Sequence, residues 1–268
     1  MGLAVHDHLS ALKTFPTAGS NWTNPRATQG TNPLLMASQY WGWMYQILPY
    51  MEATSTWKLP NDSMVTSTPV PFYSCPSRRR PTIYPYSPLG PSVLSDYGGN
   101  GGDGDENKGP FSGAIVPTFT VDDNDPVIQG NMKKFPQGYM RSIKEKDITD
   151  GLSHTLLAGE KYVAKNWYQG GSWGDNAGYV TGWGWDEVRF AQFNPDDPLS
   201  PPGPGRDSMG SGDGSGFYNY FGSAHPSAFQ AMFCDGSVRS IRYDVDRPNV
   251  LKPLANRFDR IPVALDNL

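Results

Sequence analysis

Apolar residues recur at helical spacing where the chain begins. Val5, Leu9 and Leu12 fall three or four apart, which predicts a short helix that ends at Phe15-Pro16. A second helical face is predicted over 38–48, where Tyr40, Trp41, Met44, Tyr45 and Leu48 precede Pro49. Proline cannot continue a helix, and an aromatic stripe at this spacing packs in a core rather than around a ligand. From 60 to 92 Pro and Ser interrupt the pattern and leave one short strand around Val70–Tyr73. The run SDYGGNGGDGDENKG at 95–109 reads as a glycine-dense loop, Ile148 to Gly151 as a turn, and Ser153 to Gly159 as a strand with Glu160 at its end. Residues 166–219 are dominated by Gly, Trp, Pro and Asp, and read as long surface loops with one strand near Tyr179–Trp185.

The last patterned stretch is FGSAHPSAFQAMFCDGSVRSI at 221–241. Ala228 to Phe233 is an apolar run of strand type, Asp235-Gly236 is a hairpin dipeptide, and Val238 to Tyr243 is the returning strand. A two-residue type I′ turn there pairs Phe229 with Arg242, an imperfect alternation that leaves the register open. His225 precedes Asp235 by the length of one hairpin arm, roughly 30 Å in extended chain. The two residues are therefore expected to be structural: a hydrogen-bonding histidine, and a turn built by Asp235 and Gly236.

Composition narrows the class. The chain has 268 residues, enough for a substantial core in one elaborated domain. Only 18% are charged, whereas Gly (30), Pro (25) and aromatic residues (13%) are abundant, as in a loop- and strand-rich protein outside the cytoplasm. A net charge of −4 argues against nucleic-acid binding. Arg78-Arg79-Arg80 reads as a solvated turn. His6 and His8, two apart on a helix, point to different sides. No dinucleotide fingerprint occurs in the glycine run. Asp103, Asp105 and Asn107 alternate in a D-x-D-x-N run; such oxygens can converge on Ca²⁺, or the run is an exposed turn, since the remaining EF-hand positions are missing. Cys75 and Cys234 form no CxxC pair. In an oxidising compartment they are expected to be joined, and the alternative is two buried free thiols.

Several segments together carry a resemblance. His225 with Asp235-Gly236 matches the signature H-x9-DG, and GLAVHDHLSALKTFP (2–16), WGWMYQILPYME (41–52), FYSCPS (72–77), SDYGGNGG (95–102) and ITDGLSHTLLAGEK (148–161) occur in the same order. The chain resembles the prepilin-like family with that C-terminal signature, related to type II secretion pseudopilins and type IV pilins. The resemblance implies an α+β, pilin-like fold: a truncated N-terminal helix packed on an antiparallel sheet, with large loop-rich insertions. It divides a single head domain (1–268) into a helix remnant (1–16), a variable loop insertion (166–219) and the signature hairpin (221–245). Family members begin with a basic leader, a cleavage site and an apolar span. Such a leader is expected upstream of Met1, the alternative being a natural soluble paralogue. Calcium in the loops of some pseudopilins adds weight to the Asp103 run by resemblance alone.

Two functions from different classes follow. One is a non-enzymatic structural subunit at the periplasm or cell surface, partnered by other pilin-like or assembly proteins and reaching the membrane only through an N-terminal helix. The other is a binding module whose Trp167, Trp173, Trp183 and Trp185 stack on sugar rings of a polysaccharide. Ser153, His154 and Asp150 invite a triad, but neighbours on one turn rarely converge as a triad does.

Overall fold

The computed structural model describes the whole chain except residues 88, 105–108, 119–125, 135, 192–202 and 210–218. Five strands make the main sheet: β1 (Tyr97–Gly102), β2 (Leu156–Glu160), β3 (Val188–Phe190), β4 (Ala228–Phe233) and β5 (Val238–Arg242), in the order β5-β4-β2-β1-β3. Pairing is antiparallel except between β1 and β3, which run parallel. With short helices on its faces this is a mixed, α+β architecture.

The C-terminal hairpin forms where the sequence places it, one residue out of the expected register. Gly236 alone of the turn residues takes positive φ (83°), and its N–H donates to the Phe233 carbonyl. The turn is therefore of type I followed by a left-handed glycine, not type I′. The extra residue pairs Phe229 with Ile241 and Ala228 with Arg242. That shift restores the alternation: Phe229, Ala231, Phe233 and Ile241 are all buried on one face, and Met232 faces the other.

Both faces are covered, which is why every residue of β2 is buried. On the first face lie α1 (Gly2–Leu12), α2 (Trp43–Gln46) and the surrounding aromatics, with Val5, Leu9, Trp41, Trp43, Tyr45 and Tyr73 in one cluster. On the second lie the turn Arg247–Leu251 and α3 (Lys252–Ala255), whose Leu254 and Ala255 share a hydrophobic cluster with Phe229 and Phe233. Helix α1 ends at Leu12, where Lys13 adopts a left-handed conformation (φ 61°) and its N–H returns to the Leu9 carbonyl. Near its start, a Cβ on Gly2 would stand 3.1 Å from the Gly236 carbonyl. The helix thus begins against the hairpin turn.

Several sequence expectations are corrected. The glycine run is not a loop at its start: Tyr97–Gly102 is a strand inside the sheet, buried from Gly98 onward. Its glycines leave room for neighbours, since a Cβ on Gly99 would lie 2.9 Å from Ile115 and one on Gly101 2.5 Å from the Phe190 ring. The strand expected near Tyr179–Trp185 lies instead at Val188–Phe190. Val70–Tyr73 is replaced by a 3₁₀ turn from Pro71 to Tyr73, and the strand expected from Ser153 begins at Leu156. The predicted helix over 38–48 is broken into α2 flanked by 3₁₀ turns. Gln39 causes the break: its side chain accepts from the Ala27 and Trp41 N–H groups and donates to the Ala27 and Leu34 carbonyls, so the chain is held extended before Gly42. Trp41, Met44, Tyr45 and Leu48 still reach the core, whereas Tyr40 is exposed. Among the described residues no helix is long and apolar enough to cross a membrane.

Candidate functional site

Arg78 and Arg79 are buried, which corrects the solvated-turn expectation; only Arg80 of the triplet is exposed. Arg78 bridges Asp96 (3.1 Å) and Asp207 (2.7 Å), and Arg79 bridges Asp96 (2.7 Å) and Asp175. Lys161 Nζ adds a contact to Asp175 at 3.1 Å and donates to the Gly174 and Asp186 carbonyls. Burial disfavours charge on Asp175, but Arg79 and Lys161 outweigh it and hold the carboxyl at about 2. The network fixes the loop that precedes it, because Asp96 Oδ2 also accepts from the Cys75 N–H at 2.7 Å.

Cys75 held in this way meets two residues from distant segments. His225 Nε2 lies 3.8 Å from Cys75 Sγ and 3.4 Å from Glu160 Oε1, and one donor atom from each of the three lies within 4.8 Å of the others. Glu160 ends β2 and is buried; its Oε2 accepts from the Gln230 N–H at 2.8 Å. The His225 backbone is set by two contacts: its N–H donates to Ser223 Oγ, and its carbonyl accepts from the Tyr243 hydroxyl at 2.9 Å. The His225 side chain is 34% exposed, so the cluster opens to solvent on that side only. Burial, and then the Glu160 carboxylate, push the Cys75 thiol up.

Each of the three lies in a segment that carried the resemblance: Cys75 in FYSCPS, Glu160 in ITDGLSHTLLAGEK, His225 in the signature. Sequence inspection missed the cluster because its members are 85 and 65 positions apart (160 − 75 and 225 − 160). Only the pairing of β4 with β2, together with the Asp96 anchor, brings them together.

The expected site residues distribute as follows. Asp235 is the expected turn former; its Oδ1 accepts from the N–H (2.9 Å) and hydroxyl (2.7 Å) of Ser237. His225 stands before the opposite end of β4. The expected Cys75–Cys234 bridge is not formed, since both are buried free thiols. The reason is placement: Cys75 meets His225 ahead of β4, whereas Cys234 follows that strand, six residues and roughly 20 Å further on. Of the D-x-D-x-N run, Asp105 and Asn107 lie outside the described residues. Asp103 is engaged within the fold, accepting from Ser112 Oγ and from Asn256 Nδ2 at 3.1 Å.

The four tryptophans make no common platform. Trp183 is in the core, and Trp167 packs on the Tyr162, Ala164 and Tyr220 cluster. Trp173, 47% exposed, stacks on Trp185 at 5.7 Å. Ser153 Oγ is 3.0 Å from His154 Nδ1, but Asp150 turns away to accept from the Asp259 and Arg260 N–H groups.

No curated protein and no solved structure matches the chain. A family model does, described as a protein of unknown function (DUF1559), over residues 1–248. With most of its length matched, the chain belongs to that family.

Proposed function

We propose that the protein is the globular head of a prepilin-like, non-enzymatic subunit that works outside the cytoplasm by assembling with pilin-like partners. The observation that carries this reading is the seating of α1. Ala4, Val5, His8 and Leu9 are buried against the core that covers the sheet, while Leu3 is 78% exposed on the opposite side. A helix seated by one face in the core that covers a largely antiparallel sheet is compatible with the plan that the resemblance implies, and membership of a family associated with prepilin-like proteins supports the reading. In this arrangement the exposed side of α1 is the surface offered to neighbouring subunits.

The test uses the full-length gene product in its native host. Proteinase K added to intact cells should degrade the head domain, and a cross-linker attached at Leu3→Cys should capture a pilin-like subunit. Complete protection from the protease, with the protein recovered in the cytosolic fraction, would overturn the proposal.

A further inference from the structure

We infer that Cys75, Glu160 and His225 form a binding site for a single Zn²⁺ ion, with water in the fourth position. Three observations lead there. First, Cys75 Sγ and Glu160 Oε1 approach the same imidazole nitrogen, Nε2, at 3.8 and 3.4 Å. One N–H can serve only one of them, whereas one cation can serve all three donors. Secondly, Glu160 is a buried carboxylate, and among the described residues His225 is the only ion-pair partner it has, cationic only when protonated. A buried carboxylate needs a compensating charge, and a metal ion supplies it. Thirdly, the two separations measured from His225 Nε2 match those of a tetrahedral site. Zinc bonds of about 2.0–2.3 Å place neighbouring N and O ligands about 3.4 Å apart and N and S ligands about 3.6 Å apart.

The donor set selects the ion. Thiolate, imidazole and carboxylate together suit Zn²⁺, and a sulfur ligand disfavours Ca²⁺ or Mg²⁺. Contacts outside the cluster hold each ligand's segment in place: Asp96 accepts from the Cys75 N–H, the Gln230 N–H donates to Glu160, and the Tyr243 hydroxyl donates to the His225 carbonyl. The same geometry disfavours a Cys–His–Glu nucleophilic relay. There the acid must hold the nitrogen opposite the thiol, whereas here both groups converge on Nε2.

The experiment uses the purified full chain, stripped with chelator and titrated with Zn²⁺ and then with Co²⁺. One equivalent of Zn²⁺ should bind, and bound Co²⁺ should show a thiolate-to-metal charge-transfer band. Cys75→Ser should abolish the band, and Cys234→Ser, in the other thiol, should keep it. His225→Gln, at a partly exposed position that leaves the core intact, should weaken Zn²⁺ binding by about a hundredfold with an unchanged circular-dichroism spectrum. Should Cys75→Ser fail to fold, the His225→Gln affinity decides alone. Absence of stoichiometric Zn²⁺, a charge-transfer band that survives Cys75→Ser, or an unchanged affinity in His225→Gln would each overturn the inference. The outcome does not depend on where the protein works or on what it assembles with.

Discussion

His8 is a buried histidine in a short helix. It sits on the core side of α1, with Nδ1 3.1 Å from the Thr14 carbonyl and its ring edge-on to Tyr50. Nε2 is buried without a partner among the described residues, so a second proton has no acceptor. Burial lowers its pKa to about 4, against a partial opposing pull from Thr14. In the unfolded chain the ring titrates near 6.5, so between about 4 and 6.5 the unfolded state binds more protons. Stability therefore falls as pH drops through that window, by on the order of 3 kcal/mol. Denaturant unfolding between pH 7.5 and 4 should show this slope, and His8→Leu should flatten it. An equal slope in both proteins would refute the assignment. Gly236 is the second residue with a defined cost. At φ 83°, and with a Cβ 2.9 Å from the His6 ring, Gly236→Ala should destabilise by about 1 kcal/mol or more in thermal denaturation.

At the scale of elements, β1 shows how composition can mislead. Tyr97–Gly102 contains four glycines and one asparagine after its tyrosine, a profile that signals a turn when read alone. In the sheet the missing side chains are what let Ile115 and Phe190 pack directly on the backbone. Asn100 supplies what the glycines cannot: its Nδ2 donates to the Leu156 and Ala255 carbonyls, tying the strand to β2 and α3. Gly99→Ala should therefore destabilise by about 1–3 kcal/mol through overpacking against Ile115. Gly30→Ser offers a control for lost space, because a Cβ there meets nothing within 4 Å; any cost at that position reflects its positive φ alone. Equal, negligible effects at Gly99 and at an exposed loop site would contradict the packing account.

For the whole molecule, the buried charge network joins what the sequence keeps apart. Arg78 and Arg79, from one short loop, reach carboxylates at 96, 175 and 207, so three segments are fixed around one ionic centre. Breaking such a group costs more than its net contribution, because the remaining charges stay buried and unpaired. Asp96→Ala should destabilise by about 3–5 kcal/mol and should also free the Cys75 N–H, whereas Arg80→Ala at the exposed position should change stability by no more than about 0.5 kcal/mol. Chemical denaturation of the two variants makes the comparison. Losses of similar size would mean that the triplet acts only through the surface.

The sequence by itself determined two local elements and pointed to the family. Apolar spacing marked α1, apolar runs on either side of Asp-Gly marked the C-terminal hairpin, and ordered blocks pointed to a prepilin-like group, with which the matched family is associated. These features depend on residues close in the chain, where propensity and turn chemistry act. Tertiary structure decided whatever depends on a distant partner. Burial of Phe229, Ala231, Phe233 and Ile241 against one cluster favoured the shifted hairpin register, neighbouring side chains turned a glycine run into a strand, and distant carboxylates drew two arginines inside. Cys75, Glu160 and His225 could not be recognised as a cluster along the chain. Each has an ordinary local role, and their donor atoms converge only when β4 pairs with β2 and Asp96 anchors the Cys75 loop.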